Sequence, residues 1–171
     1  MDNSELKARF KEQFGHDCRL FFSPGRINLI GEHTDYNEGF VFPGAVDKGI
    51  TLAIAPNGTR TVNVFPIDLE DETVCSFSLD TPSKPSQRWA CYVFGVCMEL
   101  AARGFLCDGF DATFTGNVPL GAGMSSSAAI DCVFAFALNE LFCEGRIDRY
   151  INQRSFSNGT LFLGYMFRTY T

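Results

Sequence analysis

The pattern of apolar and polar positions predicts a chain of mixed helices and strands. Leu6, Phe10 and Phe14 recur every fourth residue, which predicts a short amphipathic helix over 4–14 that ends at Gly15. A second helix is predicted at 89–102, and a long apolar helix follows a glycine-rich turn near 121. Six segments have the apolar content of strands: 19–22, 40–42, 49–56, 59–66, 73–79 and 109–116. Strands come first and are then mixed with helices, which predicts an α+β fold with a mostly antiparallel or mixed sheet.

The net charge and the pattern of cysteines limit the classes of function that the protein can have. A net charge of -6 argues against binding to a nucleic-acid backbone, which needs a basic face. Residues 1–15 are charged and carry no apolar run, and no stretch approaches the length of a membrane span. The seven cysteines are scattered through apolar segments without a C-x-x-C pair, which is typical of reduced core cysteines. We therefore expect a cytoplasmic protein with no nucleic-acid or membrane partner.

A compact polar block, Gly31-Glu32-His33-Thr34-Asp35-Tyr36, follows the apolar run 27–30. Just before that run stands Arg26, the only fixed positive charge between residues 20 and 47. We expect Arg26 and the polar block to lie on a loop that leaves a strand. An arginine beside carboxylates on such a loop favours binding of a polar, partly anionic ligand. A solvated loop without a ligand is the alternative.

A second polar segment, PLGAGMSSSAA, places Gly121 and Gly123 in a turn between a strand and a helix. The helix start would offer free backbone N–H groups and the positive end of its dipole, and Ser125, Ser126 and Ser127 add hydroxyl donors. No Walker A lysine is present, and Ser126 stands where the dinucleotide-binding fingerprint has its third glycine. Plain helix capping is the alternative. Together with the first block, this loop predicts phosphoryl transfer to a polar small molecule.

Both segments resemble the first two signature motifs of the galactokinases, within the GHMP kinase superfamily. The motifs are PGRINLIGEHTDYNEGFVFP and GNVPLGAGMSSSAA, and the resemblance runs in order to about Tyr150. It implies that the chain forms the N-terminal lobe of a GHMP-type kinase. It also implies ATP-dependent phosphorylation of the C1 hydroxyl of galactose to galactose 1-phosphate, with ATP and magnesium as cofactors.

The resemblance carries roles over to individual residues. Arg26 matches the arginine that stabilises the transition state, and Ser127 matches the serine that coordinates magnesium. The sugar-contacting segment is matched by Glu32, His33, Thr34 and Asp35. The phosphate-binding loop is matched by Gly121, Ala122, Gly123, Met124, Ser125, Ser126 and Ser127. These residue types suit their roles, because carboxylates and histidine fix hydroxyl groups in direction and arginine suits charge on a transferring phosphoryl group.

The end of the chain departs from the family pattern. All twenty acidic residues lie within 1–150, and residues 151–171 contain no Asp, Glu or Lys. Galactokinases are much longer, and after the second motif they carry an acidic magnesium ligand, a catalytic aspartate and a third glycine-rich motif. We therefore expect an incomplete lobe over 1–150, an atypical, out-of-frame tail over 151–171, and a truncated chain that is inactive because it lacks the catalytic base. A native C-terminal strand or loop is the alternative for the tail.

Two other functions are compatible with parts of the sequence. A non-catalytic galactose-binding or sensor protein would keep the sugar-contacting segment and lose turnover. A dinucleotide-binding oxidoreductase is disfavoured by the missing third glycine. The sequence leaves open the oligomeric state and the choice between galactose and related sugars such as N-acetylgalactosamine or arabinose.

Overall fold

The protein is described by a computed structural model, which covers residues 1–30, 40, 42–69, 73–118, 126–147 and the backbone of 168–170. In this part of the chain there are three helices: Asn3–Phe14 (α1), Ala90–Ala102 (α2) and Ser126–Phe142 (α3). The strands found there are Arg19–Ile30 (β1), Phe42–Pro56 (β2), Thr61–Pro66 (β3), Cys75–Ser78 (β4), Phe110–Gly116 (β5) and Arg168–Tyr170 (β6).

The strands form one mixed sheet in the order β4-β3-β5-β2-β1-β6. Strands β3 and β5 are parallel, and every other neighbouring pair is antiparallel. Strands β1 and β2 are long and pair from Arg19 opposite Ile54 to Ile30 opposite Phe42, so they form the longest antiparallel pair of the sheet. The prediction of an α+β fold with a mixed sheet is confirmed.

Apolar side chains cover both faces of the sheet. On one face, α2 and α3 pack over the larger core, which contains Phe110, Ala112 and Phe114 of β5, as their alternation predicts. On the other face, Leu6 and Phe10 of α1 pack over a smaller core, as their fourfold spacing predicts. Helix α1 ends at Gly15, whose φ of 80° is a left-handed conformation that favours glycine. Helices on both faces leave the central strands with little solvent contact.

Strand β5 is buried on both faces from 110 to 114, although its alternating apolar and polar residues are typical of a half-exposed strand. Asp111 and Thr113 alternate with the core residues, which is the pattern of a solvated face, yet they are 7% and 0% exposed. Their polar groups are satisfied inside the protein. Asp111 accepts hydrogen bonds of 2.8 Å from Asn57 and Asn63 and contacts His16 Nε2 at 2.8 Å. The hydrogen bond to Asp111 raises the pKa of His16. The segment that follows α1 is therefore held against this face of the sheet by a polar contact as well as by the apolar packing of α1.

Strands β1 and β2 are much longer than the sequence predicted. The predicted strand over 19–22 continues through Pro24 and Gly25 to Ile30 in β1. The strand pairing shifts there, with Pro24 opposite Gly49 and Arg26 opposite Ala45, so β2 carries extra residues in a bulge. Arg26 therefore lies within a paired strand, and its predicted position on a loop is wrong. The bulge accommodates the proline, and the ladder with β2 resumes beyond it.

The last described residues form β6 at the edge of the sheet, antiparallel to β1, with Tyr170 opposite Leu20. Residues 151–167 and Thr171 lie outside the described part of the chain. The boundary at 150 and the out-of-frame origin of the tail remain predictions.

We expect Gly49→Ala to lower the free energy of unfolding by about 1–3 kcal/mol, because β1 and β2 approach closely at this position. A Cβ atom on Gly49 would lie against the carbonyl oxygen of Ser23 and 2.6 Å from Cζ of the Phe22 ring. The matched control is Gly95→Ala at an exposed position of α2, where no atom outside the neighbouring helix backbone lies within 4 Å of the added Cβ. That variant is expected to gain about 0.5–1 kcal/mol from helix propensity. Urea unfolding measures both, and equal stabilities would contradict the prediction.

Candidate active site

Arg26 is brought to helix α3 by the continuation of β1 beyond the bulge. Its side chain is half-buried. Its positive charge lowers the pKa of the Cys132 thiol on α3, against burial and the negative charge of Asp131, which together raise that pKa to about 12. Arg26 and the second turn of α3 therefore lie within electrostatic reach of each other. Arg26, which belongs to the first predicted motif, therefore lies near the helix that follows the second predicted motif.

The first turn of α3 contains Ser126 and Ser127, both half-buried. Helix N-termini leave backbone N–H groups free and carry partial positive charge, so this turn suits phosphate oxygens. One turn later stands Asp131, whose side chain is largely buried and whose pKa is raised to about 7 by that burial. An acidic residue in an apolar helix gives no sequence signal of its partners, so Asp131 is not among the predicted site residues.

Two side chains anchor the end of β5, from which the chain enters the glycine-rich segment. Asp68 Oδ2 accepts hydrogen bonds of 2.7 Å from Thr115 Oγ1 and from the backbone N–H of Gly116. Asn117 forms two bonds with Gly49 of β2: its side-chain oxygen accepts from the Gly49 N–H at 2.8 Å, and its own N–H donates to the Gly49 carbonyl at 3.2 Å. The entrance to the predicted phosphate loop is thus held at a fixed place on the sheet.

The buried hydroxyl group of Ser23 lies next to this region. Ser23 is 0% exposed, and its Oγ has no hydrogen-bond partner among the described residues. Ser23 shares a strand face with Phe21, whose ring contacts Phe136 of α3 edge-on at 5.8 Å. Ser23 therefore points toward the α3 side of the sheet, two residues before the bulge.

The remaining predicted site residues lie outside the described part of the chain. This applies to the sugar-contacting residues Glu32, His33, Thr34 and Asp35 and to the loop residues Gly121, Ala122, Gly123, Met124 and Ser125. Their roles, and the cleft that they would share with Arg26, remain predictions.

Neither a metal cluster nor a disulfide is found among the described residues. No group of three or more His, Cys, Asp and Glu side chains there could hold a metal ion. All seven cysteines are free thiols. The helices of the described segments are too short or too polar to cross a membrane.

Comparison with known sequences identifies the family. Residues 8–56 match the galactokinase galactose-binding signature, and residues 91–155 match the GHMP kinase N-terminal domain. Over 142 residues, the chain is 42% identical to a galactokinase of Roseiflexus sp. strain RS-1. The chain belongs to the galactokinase family. The galactose-binding match spans β1 and includes Arg26, and the second match spans α2, β5 and α3.

Solved structures agree with the galactokinase assignment. The structure of Lactococcus lactis galactokinase complexed with galactose is 32% identical to this chain and superposes over 93% of it with a TM-score of 0.81. Methanococcus jannaschii mevalonate kinase superposes over 88% of the chain with a TM-score of 0.65. Its identity is 17%, so this second likeness shows the shared GHMP kinase fold alone.

The chain spans only part of its galactokinase relatives. Its matched residues make up 36% of the Roseiflexus protein, and its structure covers 43% of the Lactococcus chain. The resemblance to the N-terminal part of the family, predicted from the two motifs, is confirmed.

Proposed function

We propose that this chain supplies the sugar-binding and phosphate-binding lobe for ATP-dependent phosphorylation of galactose at C1. The observation that carries the proposal is the match of residues 8–56 to the galactose-binding signature, on strands that place Arg26 beside α3. A sugar segment and a helix N-terminus suited to phosphate are the two parts that a sugar kinase must bring together.

The roles follow from chemistry and from the resemblance. Arg26 would contact the transferring phosphoryl group, whose charge is spread over its oxygens in the transition state. Glu32, His33, Thr34 and Asp35 would hold the sugar hydroxyls through directed hydrogen bonds. The segment from Gly121 to Ser127 would hold the phosphates of ATP with backbone N–H groups and serine hydroxyls.

Magnesium would bind at the start of α3. The Ser127 hydroxyl in the first turn is an oxygen ligand of the kind that magnesium prefers, so the residues present fit the ion. When bound, the ion would neutralise phosphate charge. Ser127 would orient the ion, and the N-terminus of α3 would hold the phosphate oxygens beside it.

The test is a fusion of residues 1–147 to the part of the Roseiflexus galactokinase that lies beyond the matched segment, hereafter the fusion protein. We expect it to release ADP from MgATP only when galactose is present. A folded fusion protein that binds galactose in calorimetry but releases no ADP would favour the non-catalytic galactose-binding protein instead. A fusion protein that binds neither galactose nor ATP would contradict both functions.

The 171-residue chain by itself is expected to form galactose 1-phosphate no faster than background. The resemblance places the catalytic aspartate and the second acidic magnesium ligand in a region of the family without a counterpart in these residues, so no group would accept the hydroxyl proton. A coupled ADP-release assay of the purified chain measures this. Robust product formation would contradict it and would require another base, with Asp35, Asp47 and Asp131 as the first to replace.

A further inference from the structure

The ring of His16 connects the end of α1 to strand β5. Its Nε2 lies 2.8 Å from Oδ2 of Asp111, and the ring packs edge-on against Phe10 of α1 with 5.2 Å between the ring centres. Within the described part of the chain, no other hydrogen bond or ion pair joins residues 1–17 to the sheet. Apart from the apolar packing of α1, this contact therefore fastens the start of the chain to the sheet.

Both nitrogens of the His16 ring face groups that can only accept hydrogen bonds. Nε2 faces the Asp111 carboxylate, and Nδ1 lies 3.2 Å from the backbone carbonyl oxygen of Asp17. A neutral imidazole has one donor nitrogen and one acceptor nitrogen, whereas the protonated ring has two donors. Only protonated His16 can bond to both partners at once, so this geometry is specific for the charged form of the ring.

Asp111 is held in the orientation that this contact needs. Its other oxygen, Oδ1, accepts hydrogen bonds of 2.8 Å from the side-chain amides of Asn57 and Asn63. The amide oxygen of Asn63 accepts in turn from Ser76 Oγ at 2.7 Å, which fixes the direction of that amide. Both amides thus point their N–H groups at Asp111, and Oδ2 is left to accept from His16.

The charged groups around His16 favour its protonated form. The hydrogen bond to Asp111 raises the pKa of His16 above its ordinary value of 6.5, although partial burial of the ring acts in the opposite direction. The charge of Asp17 also raises it, while Lys11 of α1 lies 3.0 Å from the Asp17 carboxylate and Lys7 acts on the same group. The residues of β2 and β3 that pack into the smaller core carry no charge: Ala53, Ala55 and Phe65.

We propose that His16 and Asp111 form a pH-sensitive latch, which holds the end of α1 against the sheet while His16 is protonated and loosens when His16 loses its proton. The neutral ring must give up one of its two hydrogen bonds and its ionic attraction to Asp111. The stabilisation is present in full below about pH 6.5 and is lost as the pH rises through the higher pKa of His16 in the folded protein.

Opening of the latch would affect the N-terminal end of β1. It would uncover Leu6 and Phe10 of the smaller core and free the start of β1, the strand that carries Arg26 further along. The inference does not rest on the proposed function, because it concerns contacts on the face of the sheet opposite to α3.

The test compares hydrogen–deuterium exchange of the α1 amides in the 171-residue chain and in its His16→Gln variant at pH 5.5 and pH 8.5. Glutamine keeps one donor for Asp111 and cannot become charged. Comparing the same amides at the same pH cancels the intrinsic exchange rate and the effects of the other titrating groups. At pH 5.5, α1 should exchange about three- to tenfold more slowly in wild type than in His16→Gln. The factor is modest because the side chain of His16 is 36% exposed. At pH 8.5 the two proteins should exchange at the same rate.

His33→Gln is the matched control, because it removes the other of the two histidines. It should leave the exchange of α1 as in wild type at both pH values. A second test follows the ring signals of the two histidines by NMR as the pH is raised, with His33→Gln identifying the signal of His16. The pKa of His16 should exceed 6.5, and this titration does not depend on the folding of His16→Gln.

Each of the following results would overturn the latch. Equal exchange of α1 in wild type and His16→Gln at pH 5.5 would show that the contact does not hold the helix. A difference of the same size at both pH values would show that the contact holds the helix but does not respond to protonation. A pKa of His16 at or below 6.5 in the folded chain would show that the protonated ring gains nothing from Asp111.

Discussion

Replacing Arg26 by alanine in the fusion protein is expected to lower kcat on the order of a hundredfold or more, with little change in the affinity for galactose. The guanidinium lies within electrostatic reach of α3 on the last part of β1, where a transferring phosphoryl group would sit. Charge on that group is shared among its oxygens in the transition state, so the interaction is strongest there. Its loss should therefore lower kcat and kcat/KM together. Steady-state kinetics and galactose titration by calorimetry measure the two effects separately.

Two variants serve as controls for Arg26. Arg26→Lys should recover only part of the rate, since lysine supplies charge without the planar pair of donors. Arg19→Ala removes an arginine from the same strand, where it lies over the Phe21 ring at 5.1 Å, and should leave kcat near wild type. Asp35→Ala should show the opposite profile, with weaker and less selective sugar binding. A loss of galactose affinity in Arg26→Ala at unchanged kcat would contradict the assigned role.

Replacing Asp131 by asparagine is expected to stabilise the 171-residue chain at pH 8 by about 4 kcal/mol. Burial raises the pKa of Asp131 from 3.8 to about 7, so the folded protein holds this proton over a range where the unfolded chain has lost it. The free energy of unfolding of wild type must then fall as the pH rises from about 4 to about 7. Asparagine keeps the shape of the side chain and cannot ionise.

The difference in the free energy of unfolding between wild type and Asp131→Asn isolates the contribution of the Asp131 carboxyl group. Urea unfolding in EDTA should show the advantage of Asp131→Asn growing by roughly 2–3 kcal/mol between pH 5 and pH 8. His16, whose pKa is also raised, changes stability in the same direction but does so equally in both proteins. A constant difference across this range would show that Asp131 is solvated or paired in the folded protein.

Local patterns predicted which segments would be helices or strands and which side chains would face the core. Leu6 and Phe10 are buried under α1, and Phe110, Ala112 and Phe114 share the larger core, because periodicity records the face that each element buries. The sequence-based predictions failed where contacts with distant segments of the chain determine the structure. The Pro24-Gly25 pair has the local preferences of a turn, but pairing with β2 carries the strand through a bulge to Ile30.

Burial of polar residues was also beyond the reach of sequence patterns. Asp111 and Thr113 have the alternation of a solvated face, yet they are covered from the α1 side and bonded to distant residues such as Asn57 and Phe65. Asp68 and Asn117 have no local signal at all, because they act through bonds to strands far away in the sequence. Such partners are fixed only when the sheet order is known.

By itself, the sequence determined the family, the α+β class and the residue types of the candidate site, since motif order and periodicity are properties of the local chain. The tertiary structure decided the place of Arg26 within a paired strand beside α3, and the burial of Asp131. Both features depend on which surfaces of the sheet and the helices pack against each other. Desolvation and long-range charge arise from that packing, so no local pattern of residues encodes them.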